Sequence, residues 1–323
     1  MSDPRASFIS RFNYSFTMAT YLITQATGKQ SQYITEHLLA TGAKIHAVVR
    51  NPDKLPEVLQ RPGVKVFKGE STDFDAVFQA AQGCKGAFLN TFPIPGLEAQ
   101  QAKTIVEACK KAGVETVVAS TSFLTGDKNL WDDKESEQIG IRSYYQSKHE
   151  VEEVVRNAGF KFYTIIRPGF IHFDFLLPNV YGNFPALPAK GELDHAYNDD
   201  ATMIYTDAND IGKYATATFQ NPEKFTGQAI QLVKSNLTLE ETRKILIKIT
   251  GREITSRRRT PEEVEAAKAA VPAQMFNLWA NIRNFSPAAA EAKVVEAKFG
   301  ITLATLEEAL QRDKARLLEC IPA

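Results

Sequence analysis

From Tyr21 onward the chain alternates short apolar runs with segments of helical period, and this alternation constrains the fold more than any other feature. The runs are YLIT (21–24), KIHAVV (44–49), VKVF (64–67), GAFLNT (86–91), TVVAS (116–120) and FYTIIRP (162–168). Between them, residues 30–40, 73–81, 98–112 and 144–158 carry apolar side chains at the spacing of one buried helix face. Gly42, Gly83, Gly113 and Gly159 follow these segments closely, as helix-ending glycines do. Short strands joined through helices predict a parallel sheet covered on both faces. Right-handed crossovers then give a doubly wound, Rossmann-type α/β fold, whose ligands bind beyond the carboxyl ends of the strands. The residues just after each strand are therefore the candidate site.

Past Pro168 the pattern changes. Residues 167–192 are rich in proline, glycine and aromatics and read as an irregular, pocket-lining stretch. Helical period returns at 207–220, AIQLV (229–233) reads as a last strand, and 238–251 reads as a helix opening on the capping box Thr238 and Glu241. The remainder is mostly helical. The expected organisation is a disordered extension over 1–19, a Rossmann core over 20–168, and a smaller, mostly helical lobe over 169–323 that returns one strand to the core. An upstream start, with Met18 as a second candidate, is an alternative account of the extension. Lys+Arg and Asp+Glu both number 38, so no net field draws in nucleic acid or an anionic membrane. No apolar run approaches the ~20 residues of a membrane span. Cys84, Cys109 and Cys320 show no metal-binding spacing and suit a reducing compartment. A cytoplasmic monomer or homodimer acting on a small molecule, without a metal, is the expectation.

The stretch YLITQATGKQS (21–31) has the outline of a strand entering a nucleotide-binding loop. Backbone N–H groups and the positive end of the following helix suit a pyrophosphate. Of the three glycine positions of G-x-x-G-x-x-G, only Gly28 holds glycine; Gln25 and Ser31 occupy the others. The first glycine permits the tight turn and the third lets the helix pack close to the strand. Gln25 therefore sets a side chain in the diphosphate's approach, while Ser31 adds a small bulk that is easily absorbed. The second strand ends in Arg50, with Lys54 beyond it, where NAD-preferring folds carry an acid. An arginine there suits a 2′-phosphate, and Lys29 can add a second charge. A solvated basic turn is the competing reading.

Together with YLITQATGKQ…LLATGAKIHAVVRNPDK, the segments GVKVFKGESTDFDAVFQAAQGCKGAFLNT, AKTIVEACKKAGVETVVAS, SKHEVEEVVRNAGFKFYTIIRPGF and DANDIGKYATATFQNPEKFTGQAI resemble the NmrA-like family, an atypical branch of the short-chain dehydrogenase/reductase superfamily. The resemblance runs from about Tyr21 to Glu319. It implies a Rossmann domain with a smaller C-terminal lobe and NADP(H) rather than NAD(H). It also implies that Gly28, Lys29, Gln30, Arg50, Lys54, Glu70, Thr91 and Ser120 face the cofactor, with Gln25 and Thr27 completing the loop. The family's loop usually reads TGATGKQG; this chain has TQATGKQS, so cofactor binding is expected to be weakened or lost.

The catalytic candidates lie in YYQSKHEVEE (144–153). Tyr144 and Lys148 are four apart and share one helix face. The lysine's charge is expected to lower the phenol's pKa, making Tyr144 a general acid near neutrality. Ser120, or else Ser122, would polarise a carbonyl. The set resembles the superfamily's Ser, Tyr-x-x-x-Lys triad. Local packing of Tyr144 is the alternative. His37 and His46 fall on core elements, whereas His172 and His195 lie in the pocket-lining stretch as acid–base candidates. Phe170, Phe173, Phe175, Tyr181 and Phe184, with Met275, Phe276 and Trp279, either close the lobe or stack on a flat substrate, with Phe170, Phe173 and Trp279 the expected contacts. Three functions follow: an NADPH-dependent reductase of a conjugated or aromatic carbonyl, a non-redox enzyme on the same scaffold, or an NADP-binding regulator with a protein partner.

Overall fold

A computed structural model describes residues 18–322. Most of the expected disordered extension, residues 1–17, lies outside the described residues, and the Ala19 carbonyl already accepts the Lys44 N–H at 2.9 Å. The core runs β1 (Thr20–Ile23), α1 (Lys29–Ala40), β2 (Lys44–Val49), β3 (Val64–Lys68), α2 (Phe74–Ala81), β4 (Gly86–Leu89), α3 (Leu97–Lys111), β5 (Thr116–Ser120), α4 (Lys134–Gln138), α5 (Ile141–Arg156) and β6 (Phe162–Pro168). There follow β7 (Phe170–Ile171), α6 (Leu187–Lys190), β8 (Glu192–His195), β9 (Thr202–Thr206), α7 (Ala208–Gln220), α8 (Pro222–Phe225) and β10 (Gln228–Leu232). The chain closes with β11 (Ser235–Thr238), α9 (Leu239–Thr250), β12 (Thr255–Arg258), α10 (Pro261–Ala267), α11 (Gln274–Ala280), α12 (Ser286–Ala290), α13 (Ala292–Phe299), α14 (Leu306–Arg312) and α15 (Lys314–Glu319).

Seven strands form one parallel sheet in the order β10-β6-β5-β4-β1-β2-β3. Each strand feeds both faces, because successive side chains point to opposite sides. Tyr21 and Ile23 of β1 and Val118 of β5 enter the core under α1 and α7. Leu22, Val117 and Ala119 enter the other core, under α2, α3 and α5. The contact of α1 with α7 is close: a Cβ on Gly212 would collide with the His37 ring, and His37 itself is tied to Asn209 at 2.6 Å.

The strand order reverses between β1 and β4, which opens the crevice of a doubly wound sheet. Thr24 clamps this point: its hydroxyl donates to the carbonyls of Phe88 (3.0 Å) and Asn90 (3.2 Å) and accepts the Asn90 N–H (3.0 Å). That clamp ends β4 at Leu89, two residues earlier than the expected strand. The helix expected from Tyr144 begins at Ile141, entered through Gly140 at φ 82°.

The C-terminal portion is mostly helical but adds two small sheets, β11-β9-β7 and β12-β8, of two- to five-residue strands too short to leave a clear alternation. Charged groups fasten it to the core. Arg312 grips Asp207 through two bonds of 2.6 and 2.7 Å, and His172 Nε2 meets Asp313 at 2.8 Å. The three cysteines are buried and unpaired. Among the described residues no helix is long and apolar enough to cross a membrane, and no side-chain cluster could hold a metal ion.

Candidate functional site

The loop after β1 turns sharply: the Gly28 N–H donates to the Gln25 carbonyl at 2.8 Å. Gln25 sits at φ 48°, in the left-handed region that costs a side-chain-bearing residue about 1–2 kcal/mol. The position thus keeps the conformation glycine would give, and the chain tolerates the strain. Ser31 is fully buried, and its hydroxyl donates to the Thr24 carbonyl at 3.0 Å, so the strand end satisfies the added group. Gly28 caps α1 without a side-chain acceptor, which leaves the first-turn N–H groups of this twelve-residue helix open to an anion.

Two clefts flank this loop at the carboxyl edge of the sheet. The first is lined by Gln25 and Thr27, by Val49 and Arg50 after β2, by Gly69, Glu70 and Ser71 after β3, and by Phe92, Ile94 and Gln101. Its floor requires Gly69, since a Cβ there would overlap that of Ala76. The Gln25 side chain reaches across it toward Ser71, Nε2 to Oγ 3.4 Å. Arg50 and Glu70 are both exposed at this cleft, so an acid shares the region of the basic group. Lys54 is exposed on the turn beyond β2 and does not line the cleft. Lys29 points elsewhere, into a groove with Tyr33, Arg312, Asp313 and Arg316.

The second cleft, of about 430 Å³, is lined by Gln30, Ser122, Tyr144, Phe170, Phe173, Asp174, Met275 and Phe276, among others. Tyr144 lines this cleft and Lys148 lies behind it, with Nζ 5.5 Å from the centre of the Tyr144 ring. The lysine is held from behind: Nζ lies 2.6 Å from Glu98 Oε1, which also accepts the Thr91 hydroxyl at 2.6 Å. Thr91 is thus spent on this carboxylate, and Glu98 Oε2 has no partner. Lys148 and Glu98 are 5% and 0% exposed, so the pair is desolvated. The lysine's pKa rises nonetheless: burial opposes its charge, but Tyr144 and Glu98 outweigh it. The expected lowering of the phenol does not occur. Burial raises the Tyr144 pKa more than the Lys148 charge and the neighbouring Ser122 hydroxyl lower it. Tyr144 therefore keeps its proton at neutral pH, and its hydroxyl can donate a hydrogen bond into the cleft.

Ser122, not Ser120, shares the cleft with Tyr144. Ser120 is 1% exposed and its hydroxyl donates to Gln30 Oε1 at 2.7 Å, tying the loop to the end of β5. Phe170 and Phe173 line the cleft, and Phe276 meets the Tyr144 ring edge-on at 5.2 Å. Trp279 does not line it: one helical turn on, it is fully buried against Phe123, Tyr145 and Phe285, with Nε1 donating to the Leu130 carbonyl. Phe175 and Phe184 stack on each other in the core, and Tyr181 is exposed. Neither pocket-stretch histidine is free for acid–base work. His172 is enclosed by Asp313 and Ala208, and burial beside Arg258 and Arg259 pushes His195 down to about 4. Glu98 and Asp174 escaped sequence reading; the partner of Lys148 lies 50 residues away, and no local spacing encodes such a pair.

Comparison with known proteins agrees with this architecture. The NmrA-like family domain-containing oxidoreductase himF of Aspergillus japonicus is 25% identical over 253 residues, 73% of this chain and 74% of its own. The structure of the NADPH-dependent quinone oxidoreductase QOR2 from Escherichia coli, complexed with NADPH, aligns with a TM-score of 0.68 at 22% identity, covering 90% of this chain and 99% of that one. NmrA, a negative transcriptional regulator, in complex with NADP aligns with a TM-score of 0.69 at 18% identity, covering 91% and 94%. At these identities the two alignments establish a common fold. The sequence model of the NmrA-like family matches residues 17–314, nearly the whole chain, and the protein belongs to that family.

Proposed function

We propose that the protein is an NADP(H)-dependent reductase of a flat, conjugated carbonyl compound. The observation that carries this reading is the protonated Tyr144, backed by the Lys148–Glu98 pair, in an aromatic-lined cleft joined to the uncapped α1 terminus through Gln30. The volume of about 430 Å³ lies within the ~300–1,000 Å³ of small-molecule sites.

The residues fit a dinucleotide. The first-turn N–H groups of α1 suit its pyrophosphate, Thr27, Gly69 and Ser71 line the cleft on the β2–β3 side, and Arg50 suits a 2′-phosphate. Gln25 is the tight point. Bound there, NADPH supplies a hydride. Tyr144 donates its proton or a hydrogen bond to the oxygen on which negative charge develops, and the Lys148 ammonium favours that charge. Phe170, Phe173 and Phe276 exclude water and hold a flat ring. The nicotinamide complexes named for QOR2 and NmrA support the cofactor assignment.

One observation favours a second reading. The Gln25 side chain extends toward Ser71 across the first cleft. A cofactor excluded by it would leave Tyr144 and Lys148 to catalyse a non-redox proton transfer. The test is turnover of a panel of quinones, enones and polycyclic phenols, followed in parallel by NADPH absorbance and product mass. A product two mass units heavier with matching NADPH loss is expected, and Tyr144→Phe should lower its rate by ~10²–10⁴. Product without NADPH loss supports the non-redox enzyme, and NADPH binding with no turnover supports a regulator.

A further inference from the structure

Asp174 stands in the second cleft with no established task. It lies on the short turn after β7, half-buried, and lines the cleft with Tyr144. Its Oδ2 accepts the Ile171 N–H at 3.2 Å, and among the described residues its other hydrogen-bonding neighbour is Asn179, whose Nδ2 is 3.5 Å from Oδ1. Among the described residues no lysine, arginine or histidine lines the cleft. From α5, Tyr144 is the one titratable group facing it; the turn beyond contributes neutral Asn179 and Asn183, and α11 contributes Met275 and Phe276. Nearby His172 is turned away, toward Asp313 and the Ala208 N–H. A partly buried carboxyl facing neutral side chains, with no counter-charge among the cleft's lining residues, favours its neutral, donating form. Burial pushes Asp174 up to about 7, against the hydrogen bonds from Ile171 and Asn179.

We propose that Asp174 is a second proton-donating anchor of the cleft, taking one oxygen of the substrate while Tyr144 takes another. This rests on the reductase reading and narrows its substrate class: a flat conjugated ring system with two oxygens, at least one a reducible carbonyl. In the net reaction the nicotinamide gives two electrons and one hydrogen as hydride and is oxidised. The conjugated carbonyl system takes them and is reduced. The hydride's hydrogen ends bonded to the substrate, and Tyr144 keeps its proton and gives a hydrogen bond to the first oxygen. The O–H bond of Asp174 breaks as an O–H bond forms on the second oxygen, and the carboxylate takes one proton back from solvent at the mouth.

The test uses the full-length protein and Asp174→Asn, which keeps an acceptor for the Ile171 N–H but cannot titrate. Thermal melts come first. A folded-state pKa raised above the unfolded value of 3.8 means that the folded protein holds a proton the unfolded chain releases. The melting temperature of the wild type relative to the variant should therefore fall as pH rises from 4.5 to 7.5 and level off above; a constant difference overturns the proposal. Calorimetric titration then compares 1,4-naphthoquinone with 1-tetralone, the same bicycle carrying one oxygen. The quinone should bind the wild type ~10-fold more tightly at pH 6 than at pH 8.5, about the worth of one hydrogen bond. Asp174→Asn should abolish that pH dependence, and tetralone should show none in either protein. Binding of both ligands without pH dependence rejects the role of Asp174 and leaves the reductase reading standing. Binding of neither, by a protein that melts cooperatively, rejects both.

Discussion

Replacing Glu98 tests how the site is built. Its carboxylate is fully buried and lies 2.6 Å from Lys148 Nζ, itself 5% exposed. Glu98→Ala leaves an ammonium enclosed without a counter-charge, and breaking a buried pair from one side costs ~3–5 kcal/mol. At roughly 2 °C per kcal/mol for a chain of this size, that lowers the melting temperature by about 6–10 °C. Thr91 loses its acceptor in the same change, which adds to the cost. Glu98→Gln keeps an acceptor and should lose about half as much. Glu98→Leu with Lys148→Met removes both charges and fills the space, so it should recover most of the stability. Urea denaturation of the wild type, these three variants and Lys148→Ala gives the midpoints, provided the slopes agree. Chemistry separates from folding in the same set, because the double variant should be well folded yet as slow as Lys148→Ala. A loss below ~1 kcal/mol in Glu98→Ala, or a double variant less stable than either single change, would refute a desolvated pair whose partners depend on each other.

Two further outcomes are expected. Gln25→Gly relieves the strain at φ 48° and clears the path toward Ser71. NADPH should bind more tightly while stability changes by under ~1 kcal/mol, because glycine's greater freedom in the unfolded chain offsets the relief; looser binding would make the Gln25 amide a ligand instead. Asp313 is held down to about 2: burial opposes its charge, but the His172 bond and the charges of His172, Arg316 and Arg312 outweigh it. A depressed folded pKa stabilises above the unfolded value and is lost as pH falls through the folded one. The stability advantage over Asp313→Asn should therefore shrink between pH 4 and pH 2, read from urea midpoints.

The sheet was legible because its strands are apolar on both faces and its helices keep one apolar stripe. Tyr21, Leu22 and Ile23 declare both cores in three consecutive letters. The capping box of Thr238 and Glu241 was equally local and is formed. Tyr144 and Lys148 could be paired from their spacing, since a helix turns that spacing into proximity. What the sequence hid depends on distant partners or on burial. Glu98 joins Lys148 only because α3 packs on α5. The direction of the Tyr144 shift followed from desolvation, which a lysine four residues away does not reveal. Trp279 and Phe276 lie on one short helix with the same composition signal, yet Phe276 faces the cleft and Trp279 the core. Ser120 and Ser122 sit two apart at a strand end, and only the tertiary fold decides that Gln30 takes the first.

The claim that the altered loop is a working NADP(H) site meets its most direct test in one titration. NADPH and NADH are added separately to the wild-type protein and to Arg50→Ala, with nicotinamide fluorescence as the readout. The account predicts saturable binding to the wild type, tighter for NADPH than for NADH. Arg50→Ala should weaken NADPH by ~1.5–3 kcal/mol, toward the lower end because Arg50 is exposed and Glu70 shares its cleft, and should leave NADH nearly unchanged. Equal losses for both cofactors would remove the 2′-phosphate assignment, and no binding of either by the folded wild type would contradict the reductase account itself.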